Sequence, residues 1–274
     1  MDMRTLINKV KKNEQLYCVL LKPRRFCKRL SKIPMRIEDK QKFTHDIKEY
    51  KRKNTRKTFE YDKKWKFFLN ESRKSAGTCG QYYWQDLWAA QKIISRKPSI
   101  HYDIGSRIDG FIAHLQAARQ NVVLIDVRKM ENYLPYVEFV QADATMLDGI
   151  KDNSIESLSA LCSLEHFGLG RYGDAIDPEG CFKAMKSIQR VMKAGGILYI
   201  SVPIGKEHVE FNAHRIFYPQ TIIDTFSEMK LVEFKVNTLE EKMTLKTVEN
   251  IHEFDYEYNN GVRFGLFEFV KKEI

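Results

Sequence analysis

The stretch HYDIGSRIDGF (101–111) contains in succession an apolar strand, a glycine turn and the start of a helix. Glycine after a strand lets backbone N–H groups approach a ligand closely, and a neighbouring carboxylate can bind cationic or hydroxylated groups. Apolar strands follow at VVLID (122–126), VEFVQ (137–141) and ILYISV (197–202), with helical stretches between them. This βαβ rhythm predicts an open α/β sheet.

The complete pattern predicts a Rossmann-like, seven-stranded, mostly parallel sheet with helices on both faces. The remaining predicted strands lie at 155–161, 231–236 and 262–270. Helices are predicted at 82–95, 110–119, 178–193 and 219–227. The glycine pair of MKAGG (192–196) is expected to close the third of these helices.

The charge distribution divides the 274 residues into two parts. Residues 1–74 contain 24 Lys and Arg against 9 Asp and Glu, whereas the remainder contains 22 against 27. We therefore predict a basic, mainly helical extension (1–74) and an α/β domain (75–274). Aromatic residues alternate with cations at 20–36 and 48–68, a pattern suited to an anionic membrane surface or to nucleic acid. A solvated helical hairpin packed on the main domain is the open alternative.

Cysteine usage and hydropathy indicate where the chain works. Its five Cys residues are scattered and never spaced as CxxC, which argues against a disulfide framework or a zinc site. No uncharged apolar run approaches the roughly 18 residues that span a bilayer. We expect a cytoplasmic protein whose basic arm contacts the inner face of the membrane.

Carboxylates follow the predicted strands at the edge where α/β sheets bind ligands. Asp103 belongs to the first strand end, and Asp126 closes the second, 23 residues later. A carboxylate at the second position can accept both hydroxyls of a ribose. Asp143 follows the third strand in QADAT.

Taken in order, these segments resemble the class I S-adenosylmethionine-dependent methyltransferases over about residues 79–274. The resemblance implies a last strand that is antiparallel, and S-adenosylmethionine as cofactor. It assigns the methionine part to Asp103, Gly105 and Gly110, the ribose to Asp126 and the adenine to Asp143. The full set of implied cofactor residues is Asp103, Gly105, Ser106, Gly110, Asp126, Asp143 and Ala144. Family members usually have a glycine where this chain has Arg107.

Two further segments, 163–180 and 202–217, resemble an uncharacterised methyltransferase-like family whose bacterial members accompany surface-polysaccharide assembly enzymes. That likeness implies a sugar or glycan-linked acceptor, and the acceptor could also carry a phosphate group. GLGRYG (168–173) matches GxGxxG but continues into a polar loop, which excludes a dinucleotide fingerprint. We interpret it as an acceptor-side loop, although its glycines alone could explain the turn. The predicted acceptor contacts are Arg171, Tyr172, Asp174 and Arg215.

Methyl transfer to a hydroxyl requires a base that accepts the proton as the oxygen attacks. His166, directly after the fourth strand, is the first candidate, with Glu165 beside it and His214 as a further candidate. Histidine suits this task because its ordinary pKa of about 6.5 leaves much of it neutral. A metal held by these residues and Asp174 is the alternative, but their spacing matches no ligand signature.

The sequence therefore predicts a methyltransferase directed at an oxygen of a sugar-linked acceptor. A catalytically silent module with the same fold is one alternative, because fold does not imply activity. Nucleic-acid methylation is the other, favoured by the basic arm. It is opposed by CSLEHF (162–167), which lacks the Asp/Asn-Pro-Pro-aromatic tetrad of enzymes that methylate the amino groups of DNA bases.

Overall fold

The computed structural model describes residues 37–56, 58–65, 77, 79–238, 243–251 and 263–273. The chain divides into two compact units, Met1–Gly77 and Thr78–Ile274. The basic, aromatic segment 20–36 lies outside the described residues, as does part of 48–68.

The described part of the first unit consists mainly of helix α1 (Ile37–Lys53), with a short 3-10 turn at Lys63–Trp65. Helix α1 carries acidic residues in its first turn and basic residues in its last, an order that complements the helix dipole. Lys42 and Asp46 pair across one turn with an N–O distance of 2.7 Å. This arrangement is typical of a solvated helix, with exposed ion pairs that add little stability.

The second unit is built on ten strands among its described residues. They are β1 (His101–Ile104), β2 (Val122–Asp126), β3 (Val137–Gln141), β4 (Ile155–Leu161), β5 (Met192–Ile204), β6 (His208–Glu210), β7 (His214–Ile216), β8 (Met229–Asn237), β9 (Leu245–Thr247) and β10 (Arg263–Lys271). Eight form one sheet in the order β3-β2-β1-β4-β5-β10-β8-β9, and β6 pairs with β7 separately. The first five strands of this order, from β3 through β2, β1 and β4 to β5, run parallel to one another. Strand β10 is antiparallel to both β5 and β8. The predicted fold class is confirmed.

Helices cover both faces of this sheet. They are α2 (Gln81–Arg96), α3 (Ala113–Ala117), α4 (Gly180–Val191) and α5 (Pro219–Thr225). One apolar core contains residues of α2 and α3, and the other contains residues of α4 and α5. Strand β2 serves both cores, since Val122 and Leu124 pack on the first and Val123 and Ile125 on the second. A parallel strand covered on both faces is expected to be such a continuous apolar run.

The start of β5 differs from the prediction for MKAGG. Helix α4 ends at Val191, and the segment Met192–Gly196 already belongs to β5, whose register with β4 shifts between Ile155 and Ser157. A Cβ on Gly196 would lie 2.8 Å from the carbonyl oxygen of Lys193 and 2.9 Å from that of Ile155. The glycine is therefore needed for close backbone approach beside β4, not to close the helix.

Three other elements also differ from the sequence pattern. A π-helical turn at Ile108–Ile112 precedes the short helix α3, where one continuous helix is predicted. The three-residue strand β9 extends the sheet at its edge. The β6–β7 hairpin was not predicted, because its strands are only three residues long.

Replacement of Gly196 by alanine is expected to destabilise the second unit by about 1–3 kcal/mol, because the added methyl group would overlap two carbonyl oxygens. Gly80→Ala is the control, since no atom lies within 4 Å of its new Cβ, and its change should stay within about 1 kcal/mol. Urea unfolding followed by tryptophan fluorescence measures both. Equal unfolding midpoints for the two variants would contradict this account.

Candidate functional site

Two adjoining cavities open where the carboxyl ends of β1, β2, β3 and β4 meet. The inner cavity, about 130 Å³, lies between these strand ends and the loop that follows β4; its wall includes Asp126, Asp143 and Phe167. The outer cavity, about 850 Å³, extends toward α2 and the β6–β7 hairpin. The residues lining both are Gly105, Arg128, Cys162, His166 and Tyr172. Shared walls make the two cavities parts of a single site.

Asp103 lies behind the β1 turn and lines neither cavity, in contrast to the predicted cofactor contact. It is fully buried, and its carboxylate accepts hydrogen bonds from the backbone N–H of Ser106 (3.0 Å), the Ser106 hydroxyl (2.8 Å) and the Ser159 hydroxyl. Burial raises the pKa of Asp103 to about 6, and the hydrogen bonds oppose that shift. Asp103 therefore positions the turn instead of contacting a ligand.

A buried histidine supports Asp103 from the core. The Ser159 hydroxyl donates to Asp103, so its oxygen accepts from His101 Nε2–H at 2.9 Å. His101 Nδ1 then accepts from the hydroxyl of Ser157 at 2.8 Å. Burial lowers the pKa of His101 to about 3, so the ring is neutral and relays hydrogen bonds without charge.

The turn itself presents Gly105 to both cavities and Ser106 to the outer one. Gly105 has φ +74°, a conformation that favours glycine, and a Cβ there would lie 3.1 Å from Cβ of Ser163. Its N–H donates to the carbonyl of Ile125 at 2.9 Å, which ties the turn to β2. Both predicted residues thus lie at the junction of the cavities.

Asp126 lies in the inner cavity, with an arginine bound to it. Arg128 donates from Nε to Oδ1 (2.9 Å) and from Nη2 to Oδ2 (2.6 Å), and its backbone N–H also donates to Oδ1 (2.8 Å). Its guanidinium carbon lies 4.4 Å from the ring centroid of Tyr172. Arg128 was not predicted, although its place two residues after a strand-end carboxylate is a usable signal.

The loop after β3 forms the opposite wall of the inner cavity. Asp143 is exposed there and accepts a hydrogen bond from the N–H of Thr145 at 2.8 Å, while Ala144 is buried beneath it. The carbonyl of Thr145 accepts from the hydroxyl of Ser187 at 2.7 Å, which anchors the loop on α4. Asp126 and Asp143 therefore line one cavity, as the sequence predicts.

His166 is oriented by the backbone of the β6–β7 hairpin. Its Nδ1–H donates to the carbonyl of Ala213 at 2.6 Å, which leaves Nε2 unprotonated, 3.6 Å from Oε1 of Glu165. Burial lowers the pKa of His166 to about 4 and raises that of Glu165 to about 8. At neutral pH the carboxyl group of Glu165 is therefore protonated. The imidazole of His166 is neutral, and its Nε2 can accept a proton.

Close backbone packing and the carboxylate of Asp174 fix the conformation of the loop 168–173. A Cβ on Gly168, which has φ +77°, would lie 1.8 Å from the carbonyl oxygen of Asp177. Asp174 binds the backbone N–H groups of Gly168 (2.8 Å), Gly170 (3.2 Å) and Tyr172 (3.1 Å). Asp174 therefore closes the loop; it also lines the inner cavity, and its predicted contact with the acceptor stays a prediction.

The side chains of this loop do reach the site. Arg171 donates to the carbonyl of Ala213 at 2.9 Å, and its guanidinium carbon lies 5.2 Å from the Tyr172 ring centroid. The ring of His166 meets Tyr172 edge-on, with centroids 5.5 Å apart. Arg171, Tyr172 and His166 are thus brought together around the outer cavity, as predicted.

The β6–β7 hairpin places the two remaining candidates differently. The His214 ring centroid lies 6.3 Å from that of His166, and its Nε2 makes no hydrogen bond among the described residues. Arg215 instead donates to the carbonyls of Phe167 (2.6 Å) and Pro178 (3.1 Å). Arg215 joins the loop after β4 to the hairpin and lines neither cavity, and its predicted acceptor contact stays a prediction.

Arg107 does not obstruct the inner cavity. Its side chain is 71% exposed on the rim of the outer cavity and forms a bidentate pair with Asp109, with distances of 3.0 and 2.8 Å. The sequence reasoning missed Tyr82 and Asp86, which α2 contributes to the outer cavity. No local signal marks them, because α2 reaches the site only through packing.

Metal-binding clusters and membrane-spanning helices are both absent from residues 79–238, 243–251 and 263–273 and from the described part of the first unit. No group of three or more His, Cys, Asp or Glu side chains there could hold a metal ion. Within the same residues, no helix is both long and apolar enough to cross a bilayer.

Comparison with known proteins assigns no activity to the chain. A family model described as "Caenorhabditis protein of unknown function, DUF268" matches residues 127–260. None of the curated proteins matches the chain. The family description names no function, so it adds nothing about the acceptor.

Several solved structures are similar over most of their length. The 1,6-didemethyltoxoflavin-N1-methyltransferase of Burkholderia thailandensis, solved with S-adenosylhomocysteine, is 14% identical (70% of this chain, 80% of that chain, TM-score 0.47). A TehB-like SAM-dependent methyltransferase of Corynebacterium glutamicum is 16% identical (67% and 87%, 0.45). The [4+2]-cyclase SpnF is 14% identical (68% and 81%, 0.47). Likeness at this level carries no functional argument, and the methyltransferase-like Rossmann fold rests on the strand order.

The buried carboxylate of Asp103 predicts a pH-dependent component of stability. Its folded pKa of about 6 exceeds the ordinary 3.8, so its contribution is full below about pH 4 and is lost as the pH rises through about 6. Asp103→Asn cannot ionise, and its free energy of unfolding should fall less over this range, by on the order of 1–3 kcal/mol.

Urea unfolding at about pH 4 and about pH 7 measures that difference. Asp148→Asn, in an exposed turn, is the matched control and should follow the parent protein. Parallel pH profiles for Asp103→Asn and the parent would refute the assignment.

Proposed function

We propose that the chain is an S-adenosylmethionine-dependent methyltransferase that transfers a methyl group to a hydroxyl of a sugar-linked acceptor. The proposal rests mainly on one observation: Asp126 and Asp143 line the same cavity, and this cavity continues into a second one beside His166. The first cavity suits a nucleoside, and the second offers a neutral base and hydrogen-bonding side chains.

The residues of the inner cavity fit an adenosyl group. Oδ1 of Asp126 accepts two hydrogen bonds and Oδ2 accepts one, so an accepting direction remains for a ribose hydroxyl. Ser163 Oγ is buried in the same wall without a hydrogen-bond partner among the described residues. The apolar side chains available to an adenine ring are Ile104, Ile125, Ala144 and Phe167. When bound, the cofactor supplies an electrophilic methyl group on its sulfonium.

His166 is the proposed proton acceptor. Its Nδ1–H bond to Ala213 fixes the tautomer that leaves Nε2 basic, and its low pKa keeps the ring neutral at cellular pH. Glu165 carries its proton at neutral pH, and its Oε1 lies 3.6 Å from Nε2 as a neutral polar neighbour of the ring. An acceptor hydroxyl donating to Nε2 would thereby become a better nucleophile.

The outer cavity supports a polar, anionic acceptor. Arg171 is bonded to a backbone carbonyl and forms no ion pair with a carboxylate among the described residues, so its charge is available to a phosphate group. The Tyr172 ring provides an apolar surface beside it, and His214 lines the same cavity with its Nε2 3.4 Å from Oε2 of Glu210. Sugars are bound through such combinations of a ring surface and polar groups.

A silent binding module is the second candidate, and one observation favours it: Arg128 already engages the carboxylate of Asp126. In that case the inner cavity would be filled by the chain's own side chain. Measured affinity for the cofactor separates the two candidates.

Asp126→Ala should weaken binding of S-adenosylhomocysteine by about tenfold or more, because a charge-assisted hydrogen bond to the ribose is lost. Isothermal titration calorimetry measures the affinity, with Asp148→Ala as the control away from the cavity. If the parent protein binds neither S-adenosylmethionine nor its demethylated product at about millimolar ligand, the silent module is the correct reading.

His166→Gln should leave that affinity within about twofold and reduce methyl transfer by about 10²–10⁴-fold, because only the proton acceptor is removed. Transfer of labelled methyl groups from the cofactor into extracted sugar-linked acceptors is the measurement. His208→Gln, in an exposed position, is the control. Full activity in His166→Gln would exclude His166 as the base.

A further inference from the structure

The outer cavity contains a half-buried carboxylate, Asp86 on α2, that the proposed methyl transfer does not use. Its Oδ1 accepts a hydrogen bond from Nε2 of Gln85 at 2.9 Å. No Lys or Arg pairs with it among the described residues. Its Oδ2 lies against Gly110, where a Cβ would come within 2.5 Å of it.

The neighbours of Asp86 compensate its charge only in part, because the lowering of its pKa by His114 and Arg107 is smaller than the rise caused by burial. Burial raises the pKa of Asp86, and its charge in turn contributes to the raised pKa values of Asp103 and Cys162. The guanidinium of Arg107, on the rim of the cavity, forms its ion pair with Asp109 at 2.8 Å. A positive group in the cavity would relieve this repulsion.

A second acidic side chain in the same cavity points to a ligand independently. Glu165 is 2% exposed, and its Oε2 has no hydrogen-bond partner among the described residues. Such an atom is costly unless a ligand or water satisfies it. The outer cavity is therefore suited to a ligand group that donates hydrogen bonds and carries positive charge.

We propose that Asp86 binds the α-ammonium group of the cofactor's amino-acid end, an inference that rests on the proposed function. Gly105 lines both cavities, so a ligand with its nucleoside at Asp126 passes over Gly105 into the cavity that contains Asp86. The carboxylate of Asp103 is excluded from this role because its hydrogen bonds hold the turn.

The inference also explains the glycine at position 110. Any side chain there would push Oδ2 of Asp86 from its place, so glycine keeps the carboxylate where it faces the cavity. The resemblance to class I methyltransferases assigned Gly110 directly to the cofactor. Its contact with Asp86 adds an indirect role, while Gly110 itself lines the outer cavity and its direct contact stays a prediction.

Calorimetry with two nucleosides tests the proposal. S-Adenosylhomocysteine carries the α-ammonium and α-carboxylate, and 5′-methylthioadenosine carries neither. Asp86→Asn keeps the shape of the side chain and removes its charge. We expect it to bind S-adenosylhomocysteine about tenfold more weakly and 5′-methylthioadenosine within about twofold of the parent. The S-adenosylhomocysteine analogue with hydrogen in place of the α-amino group should bind the parent and variant equally.

Two further variants sharpen the test. Asp148→Asn makes the same chemical change in an exposed turn that lines neither cavity, and should change either affinity by less than about twofold. Gly110→Ala keeps the Asp86 charge but displaces it, and should reproduce the selective loss of S-adenosylhomocysteine affinity. Thermal unfolding without ligand confirms that each variant is folded.

The outcomes separate this inference from the proposed function. Equal affinity of Asp86→Asn and the parent for S-adenosylhomocysteine overturns the role of Asp86 and leaves the proposed function standing. Parallel losses for both nucleosides also overturn it, since the contact would then not be with the amino-acid end. A parent protein that binds neither nucleoside overturns both proposals.

Discussion

The buried carboxylate of Asp103 is the constraint on which the geometry of the site depends. A carboxylate without solvent is costly unless donors surround it, and here Ser159 and two groups of Ser106 supply the hydrogen bonds. Meeting this requirement folds the chain after β1 into one turn, which places Gly105 at the junction of the two cavities. His101 and Ser157 extend the hydrogen-bond network into the core, so buried hydrogen bonds on the core side also fix the position of the turn.

The two cavities differ in how their acidic groups are compensated. In the inner cavity, Arg128 neutralises Asp126 and also contacts Tyr172. In the outer cavity, Asp86 and Glu165 have raised pKa values because they are buried without ion-pair partners among the described residues. This difference makes the inner cavity receptive to a neutral nucleoside, and the part of the outer cavity at Asp86 receptive to a positively charged group. A cofactor with a neutral ribose and cationic sulfonium and ammonium groups matches that order.

The acceptor side of the site is assembled by side chains that bind backbone. Asp174 gathers three N–H groups of the loop after β4, and Arg215 joins that loop to the β6–β7 hairpin through two carbonyls. Ala213, in the hairpin connection, then receives hydrogen bonds from both His166 and Arg171. One carbonyl group therefore sets the positions of both His166 and Arg171, which keeps both at the wall of the outer cavity.

Strand periodicity and the strand-end carboxylates Asp126 and Asp143 could be predicted from the sequence, because they depend on residues adjacent in the chain or on the order of elements. The antiparallel last strand was expected only from the resemblance to class I methyltransferases. The roles of Asp103 and Arg215 could not be predicted, since the same residue types bind ligand or backbone according to what faces them. Asp86 shows this limit most clearly: its helix precedes β1 by several residues, and only packing against the sheet brings its carboxylate beside Gly110. Local pattern thus specified the elements and their order, whereas burial and mutual distance specified which charges meet in the site.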